Sequence, residues 1–180
     1  MKIRIIGPCG SGKSTVARAL SRQLGIAYHE IDNLMWDRSV PNVRHPEVVR
    51  NRMFQDILES EDWILEGVQH GWTMESFRQA DWVLVLHPHV MVRDYRIIRR
   101  FIRSRTGLEQ WNYKQTFSNL VKMVVEWNHG YDPGKILRLT EEFAAKRIVA
   151  AGPKELAAWA DSLTRSEAQA EGASVEQRGA

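Results

Sequence analysis

Gly7-Pro8-Cys9-Gly10-Ser11-Gly12-Lys13-Ser14 is a glycine, four residues, then glycine-lysine-serine, and this stretch decides the fold. Its glycines let the backbone wrap tightly enough for successive N–H groups to converge on phosphate oxygens, and a helix opening at its end adds a positive pole. Lys13 then reaches the outer phosphates of ATP, and the Ser14 hydroxyl offers an oxygen to Mg²⁺. The flanks agree. Lys2 to Ile6 is a short apolar, β-branched run, and Lys13 to Leu24 carries Val16, Ala19, Leu20 and Leu24 at helical spacing with Gly25 as its stop. Strand, loop and helix together predict an ATP-phosphate site over Gly7, Pro8, Cys9, Gly10, Ser11, Gly12, Lys13, Ser14 and Thr15.

Further along, strands are predicted over 26–31, 63–65, 82–86 and 147–151. Helices are predicted over 46–59, around 73–79, and over 90–104, 113–127, 133–145 and 154–163. In the helix over 46–59, Val48, Val49, Met53, Phe54, Ile57 and Leu58 form the side expected to be buried. Asp132-Pro133 caps the helix that follows it. Strands alternating with helices from a phosphate-loop start predict an α/β fold in three layers, a parallel sheet with helices on both faces. Residues 1–163 form one domain with a lid region at about 90–130. The Ser-, Glu-, Gln-, Gly- and Ala-rich stretch 164–180 is expected to be a flexible tail, since it holds too little apolar surface to offset its ordering entropy.

The 180 residues fit one such domain. A single cysteine excludes an internal disulfide framework, and the six histidines show no zinc spacing, so no structural metal is expected. No apolar stretch nears the roughly 20 residues of a membrane span, which predicts a soluble, cytoplasmic protein. The formal charge is only +3, yet Met91 to Lys122 holds six arginines and two lysines against Asp94 and Glu109. Such a concentrated basic segment points to a local anionic ligand more than to a whole-surface nucleic-acid footprint.

Gly-Pro-Cys-Gly-Ser-Gly-Lys-Ser-Thr, Asp32 after the second strand, Glu66-Gly67 after the third, Pro88 after the fourth and an arginine-rich helix next resemble the adenylate-kinase-like P-loop kinases. Within these, Ile31-Asp32-Asn33-Leu34-Met35-Trp36 and Trp63-Ile64-Leu65-Glu66-Gly67 are most similar to the small proteins labelled DNA topology modulation proteins. The resemblance covers residues 1 to about 163. It implies five parallel strands in the order 2-3-1-4-5, an acceptor site over strands two and three, and a mobile lid between strands four and five. Two positions depart from the pattern: Glu66 stands where relatives usually carry aspartate, and Leu86-His87-Pro88-His89 lacks the aspartate usual before the proline.

Candidate roles follow. Lys13, Asp32, Arg96 and Arg100 form the catalytic set. Asp32 either binds Mg²⁺ through water or accepts the acceptor's hydroxyl proton, against a plain capping role. Glu66 reads as the acid beside Ser14 that holds metal-bound water, against a surface carboxylate at a strand end. Arg96 and Arg100, like Arg99 and Arg103, are one helical turn apart, suited to charge developing on phosphoryl oxygens or else forming a solvated basic face. Asp32, Trp36, Glu66, Gly67 and Arg78 are the candidate acceptor contacts, with a salt bridge to Glu75 or Asp81 as the simpler role for Arg78. Trp36 and Trp72 lie in the presumed acceptor loops, where an indole can stack on a ring or sugar. His45, His70, His87 and His89 read as turn or surface residues.

The sequence therefore predicts an ATP- and Mg²⁺-dependent phosphotransferase acting on a nucleoside, nucleotide or small metabolite. The alternative is a nucleotide-dependent switch or ATPase acting on nucleic acid or a protein partner. Oligomeric state stays open.

Overall fold

The computed structural model describes residues 1–40, 43–105 and 116–163. Five strands form the main sheet: β1 (Lys2–Ile6), β2 (Tyr28–Glu30), β5 (Trp63–Glu66), β6 (Trp82–Leu86) and β7 (Arg147–Ala150). All pairings are parallel, in the spatial order β2-β5-β1-β6-β7. The chain numbering thus reads 2-5-1-6-7 instead of the expected 2-3-1-4-5. Two strands that the sequence reading did not include, β3 (Trp36–Asp37) and β4 (Val43–Arg44), come before β5 and form a separate antiparallel ribbon. They are two residues long, and strands that short give no periodicity to read.

Side chains of β1 alternate between two cores, as a strand covered on both faces requires. Ile3 and Ile5 join Ile64, Leu84 and Leu86 beneath Val16, Ala17 and Leu20 of helix α1 (Lys13–Leu24) and Leu156 and Ala160 of the helix at 153–163. Ile6 joins Trp63, Leu65, Val83 and Val85 on the other face. There they meet α2 (Ile31–Met35), α3 (Glu47–Leu58), α4 (Met74–Gln79) and α7 (Pro133–Leu139). Only the second half of α3 packs on this core: Phe54, Ile57 and Leu58 are buried, whereas Val48 and Val49, expected inside, are exposed.

The stretch expected to form a lid holds α5 (Val90–Arg105), α6 (Phe117–Val121) and a π-helix (Lys122–His129) among its described residues. One α-helix had been expected over 113–127; residues 113–115 lie outside the described part, as does the expected tail 164–180. π-Helical turns are rare and concentrate at functional sites. Asp132 caps α7 as expected, its carboxylate accepting from Gly134 N at 2.8 Å. Because the β1–β2 and β6–β7 connections leave in opposite directions, a crevice opens at the carboxyl ends of β1 and β6, the usual ligand position in such sheets.

Candidate active site

Every strand of the sheet delivers its carboxyl end to one edge. Glu66 is level with Ile5 and Glu30 in the pairing register, so the end of β5 lies beside the start of the phosphate loop. Gly10 and Gly12 adopt φ of +72° and +97°, where a side chain would be strained. A Cβ on Gly10 would also lie 2.7 Å from the Arg93 carbonyl oxygen. The loop is therefore shaped against α5. Ser11 Oγ is buried and has no hydrogen-bond partner among the described residues, as expected of a cradle built for phosphate oxygens.

Lys13 Nζ donates to Pro8 O at 2.9 Å across the loop. Loss of solvation lowers its pKa, opposed by Glu66, Cys9 and Asp32 and reinforced by Arg100. Ser14 Oγ donates to Glu66 Oε1 at 2.8 Å, bringing together the two residues expected to serve the metal. Burial raises the Glu66 carboxyl's pKa, while Lys13 and the Ser14 hydrogen bond pull it back. A hydroxyl paired with a carboxylate, with Asp32 and Glu30 in the same field, is a hard-oxygen set that suits Mg²⁺. Asp32, on α2, is oriented by Gln69, whose Nε2 donates to its Oδ1 at 2.8 Å.

The arginines of α5 divide. Arg96 Nη1 donates to Ser11 O at 2.8 Å and Gly10 O at 3.4 Å, and Arg100 Nη2 approaches Cys9 Sγ at 3.6 Å. Both stand at the loop. Arg99 is exposed and Arg103 half-buried, and neither hydrogen-bonds to the loop among the contacts described. Arg78 is not brought to this edge. It lies in the last turn of α4, just before β6 begins, at the amino ends of the strands, where it pairs with Glu75 at 3.3 Å and its carbonyl accepts from Lys146. Gly67 is at the edge, with a Cβ position 2.8 Å from Ile31 Cβ. Trp36 lies in the ribbon under the Arg44 guanidinium, 4.7 Å from its ring centre. Trp72 is held between Phe54, at 5.3 Å between centroids, and Arg50, 4.3 Å away, which makes it a packing residue in this conformation.

Three residues had no role in the sequence reading. Arg4, mid-strand in β1 and fully buried, donates to Ile5 O and Leu65 O at 2.5 and 3.2 Å, and to Gly67 O and Gln69 O at 3.3 and 2.6 Å. It lies 4.7 Å from the centre of the Phe77 ring. Burial pulls its pKa down to about 9, against the field of Glu66. Arg4 thus fixes the Gly67–Gln69 turn, and Gln69 passes that order to Asp32. A charge inside an apolar strand bordering a phosphate loop was the available signal; Gln69 carries none. Arg93 is the third: it shares the buried side of α5 with Ile97, an arginine where the helical period calls for an apolar residue.

Two hollows flank the edge. One of about 430 Å³ runs beside β2, lined by residues including His29, Glu30, Asn33, Met53 and Asp56. The other, about 270 Å³ and apolar, lies between α1 and the helix at 153–163, from Thr15 and Ala19 to Pro153 and Ala157. Pro153 is 3.4 Å from a Cβ position on Gly12, so this groove begins at the loop.

The uncharacterized protein YqaC of Bacillus subtilis (strain 168) is 34% identical to this chain over 134 residues, 72% of each. The chain belongs to the YqaC family. A probable gluconokinase of Schizosaccharomyces pombe is 30% identical over 113 residues, which span 61% of the chain but only 53% of that relative. The crystal structure of a gluconokinase from Sinorhizobium meliloti 1021 superposes with a TM-score of 0.48 at 17% identity, covering 92% of this chain and 96% of that one. No protein-family model matches the chain. None of these proteins is described as a DNA topology modulation protein, and that label is carried no further. No helix among the described residues is long and apolar enough to cross a membrane.

Proposed function

We propose that the protein is an ATP-dependent phosphotransferase that moves the γ-phosphoryl group to a hydroxyl of a small metabolite. One observation carries this reading: Lys13, Ser14, Glu66 and Asp32 meet at one sheet edge, with Arg96 and Arg100 of α5 against the same loop. Such placement supplies the positioning and charge stabilisation on which phosphoryl transfer depends. The partial match to a probable gluconokinase supports a small hydroxylated acceptor.

In this reading the loop N–H groups and Lys13 take the β- and γ-phosphates. Ser14 and Glu66 would hold Mg²⁺, which would supply positive charge against that of the phosphates. Asp32, kept in place by Gln69, accepts the proton of the attacking hydroxyl. Arg100 and Lys13 face the oxygens that gain charge. The nucleotide base enters the apolar groove that begins at Thr15 and Pro153, and the acceptor sits over β2 and β5. A cytoplasmic location goes with this use of ATP. The nucleic-acid alternative draws no support from α5, because Arg96 and Arg100 turn inward onto the loop.

The test is a phosphotransfer screen with Mg²⁺ and ATP over nucleosides, nucleotides, sugar acids and polyols, scored by product mass for wild type and Lys13→Ala. Transfer to at least one acceptor, absent in the variant, is expected. No transfer to any acceptor, together with micromolar ATP-independent nucleic-acid binding, would overturn the reading in favour of the switch.

A further inference from the structure

Arg93 is 4% exposed, and its Nε and Nη1 have no hydrogen-bond partner among the described residues. A buried guanidinium left this way is costly unless an anion completes it. The nearest carboxylate in sequence does not do so. Asp94 is turned to the π-helix, its Oδ1 accepting from Asn128 Nδ2 at 2.5 Å and its Oδ2 meeting His129 Nε2 at 2.8 Å. What Arg93 does have is the face of Tyr131, 5.5 Å from guanidinium carbon to ring centre, a contact that orients the cation without neutralising it. Loss of solvation lowers its pKa, with Tyr131, Asp94 and Cys9 opposing, and burial followed by the field of Arg93 lowers that of His87. Its surroundings are thus a phenol, an imidazole, a thiol and a carboxylate already engaged.

Its side of the loop matters. Arg96 braces Gly10 and Ser11, and a Cβ on Gly12 would lie 3.4 Å from both Arg96 Nη1 and Pro153, toward the groove at α1. Tyr131 packs instead on the opposite core, the one holding Ile31 and Leu34 of α2 and Phe54 of α3. Cys9 stands between: its field reaches both Lys13 and Arg93. The donor phosphates already have Lys13 and Arg100. Arg93 stands at the loop, its carbonyl oxygen 2.7 Å from a Cβ position on Gly10, and its Tyr131 partner packs on the core that also holds Ile31 and Leu34 of α2, the helix that carries Asp32.

We propose that Arg93, steadied by Tyr131, receives an anionic group carried by the phosphoryl acceptor, a carboxylate or a phosphate monoester. The substrate class is then hydroxylated anions, not neutral polyols. This rests on the phosphotransferase reading above, and it adds the charge of the acceptor to it.

The experiment is equilibrium binding to the full chain saturated with Mg²⁺ and a non-hydrolysable ATP analogue. The probes are a six-carbon aldonate, a six-carbon aldose phosphate and the six-carbon polyol. Wild type is expected to bind one anionic probe about tenfold or more tightly than the polyol, and which anion wins separates carboxylate from phosphate. Arg93→Met should level anionic and neutral probes, Arg93→Lys should keep part of the preference, and both should hold the ATP analogue within about twofold of wild type. Should Arg93→Met fail to fold by thermal denaturation, Arg93→Gln replaces it. Equal binding of all probes by wild type, or a preference that survives removal of the charge, overturns the proposal. So does a loss in Arg93→Met that falls on the ATP analogue and spares ADP, because the γ-phosphate would then be its partner. Failure of wild type to bind the analogue at all would instead sink the phosphotransferase reading itself, and this proposal with it.

Discussion

The turn after β5 and the base of α5 each enclose an arginine, and the two are finished differently. Arg4 spends both terminal nitrogens on four carbonyl oxygens, leaves only Nε without a partner among the described residues, and lies against Phe77. Arg93 is almost as deeply buried, yet two of its nitrogens meet no acceptor among the described residues. A protein can bury a cation to tie its own backbone together or to wait for an anion from outside. The two designs respond oppositely to removal: the first leaves carbonyls stranded, the second removes an unmet charge.

Among the substitutions that bear on these two arginines, the largest effect belongs to neither of them. Lys13 also waits for an anion, and Lys13→Ala should reduce kcat/KM about 10³-fold while the thermal midpoint stays within a few degrees. A folded variant with wild-type turnover would remove the loop from the mechanism. Arg96 and Arg100 occupy the middle ground, because they touch the loop now and the transferring group later. Neutralising both should depress turnover roughly 10²-fold and nucleotide affinity much less, as steady-state kinetics beside equilibrium titration would show.

Arg4→Met should lower the unfolding free energy by about 2–4 kcal/mol in urea denaturation, because the Gly67 and Gln69 carbonyls lose their donor. It should also slow transfer through misplacement of Gln69 and Asp32. If Arg4→Met is as stable as wild type, the first half of the contrast fails.

Glu66→Gln tests the acid beside Ser14. Burial holds the carboxyl's pKa above its ordinary value in the folded state, so the fold favours its protonated form. Stability at this position is present below the unfolded pKa and is lost as pH rises through the folded one. The variant should escape that loss and gain in thermal midpoint over wild type as pH climbs past the carboxylate range, while needing more Mg²⁺ for activity. A midpoint difference that shrinks with rising pH would contradict the cause assigned here.

Smallest of all, Arg93→Met should stay within about 1 kcal/mol of wild type and tend toward stabilisation without ligand. A loss as large as that of Arg4→Met would mean that Arg93, too, is structural.

Legibility in the sequence followed the range of the interactions. Gly7 to Ser14 announces its chemistry because a phosphate cradle is made by consecutive residues. The placement of Asp32 and Glu66 at one edge was readable because parallel strands bring their carboxyl ends together. Arg4 gave a signal as a charge in the apolar strand Lys2–Ile6, but its partners did not: the Gly67 and Gln69 carbonyls and the Phe77 ring come from more than sixty positions away. Arg78 misled for a related reason: its place before β6 was clear, but the end of the sheet it would occupy depends on where α4 packs. Lys122 to His129 has an ordinary helical composition, and nothing local distinguishes π from α winding there. The Asp94 contacts with Asn128 and His129, joining residues more than thirty positions apart, became visible only with the packing of the π-helix on α5.

The one sulfhydryl of the chain sits at Cys9, half-buried within the loop, with Arg100 beside it and the fields of Lys13 and Arg93 upon it. A thiol-directed label therefore reacts at a single address, with no engineered cysteine and no competing site, and its rate of attachment becomes a clock for occupancy. If the loop takes nucleotide as proposed, binding slows that clock, and the degree of slowing at each nucleotide concentration traces a binding isotherm from the unaltered protein.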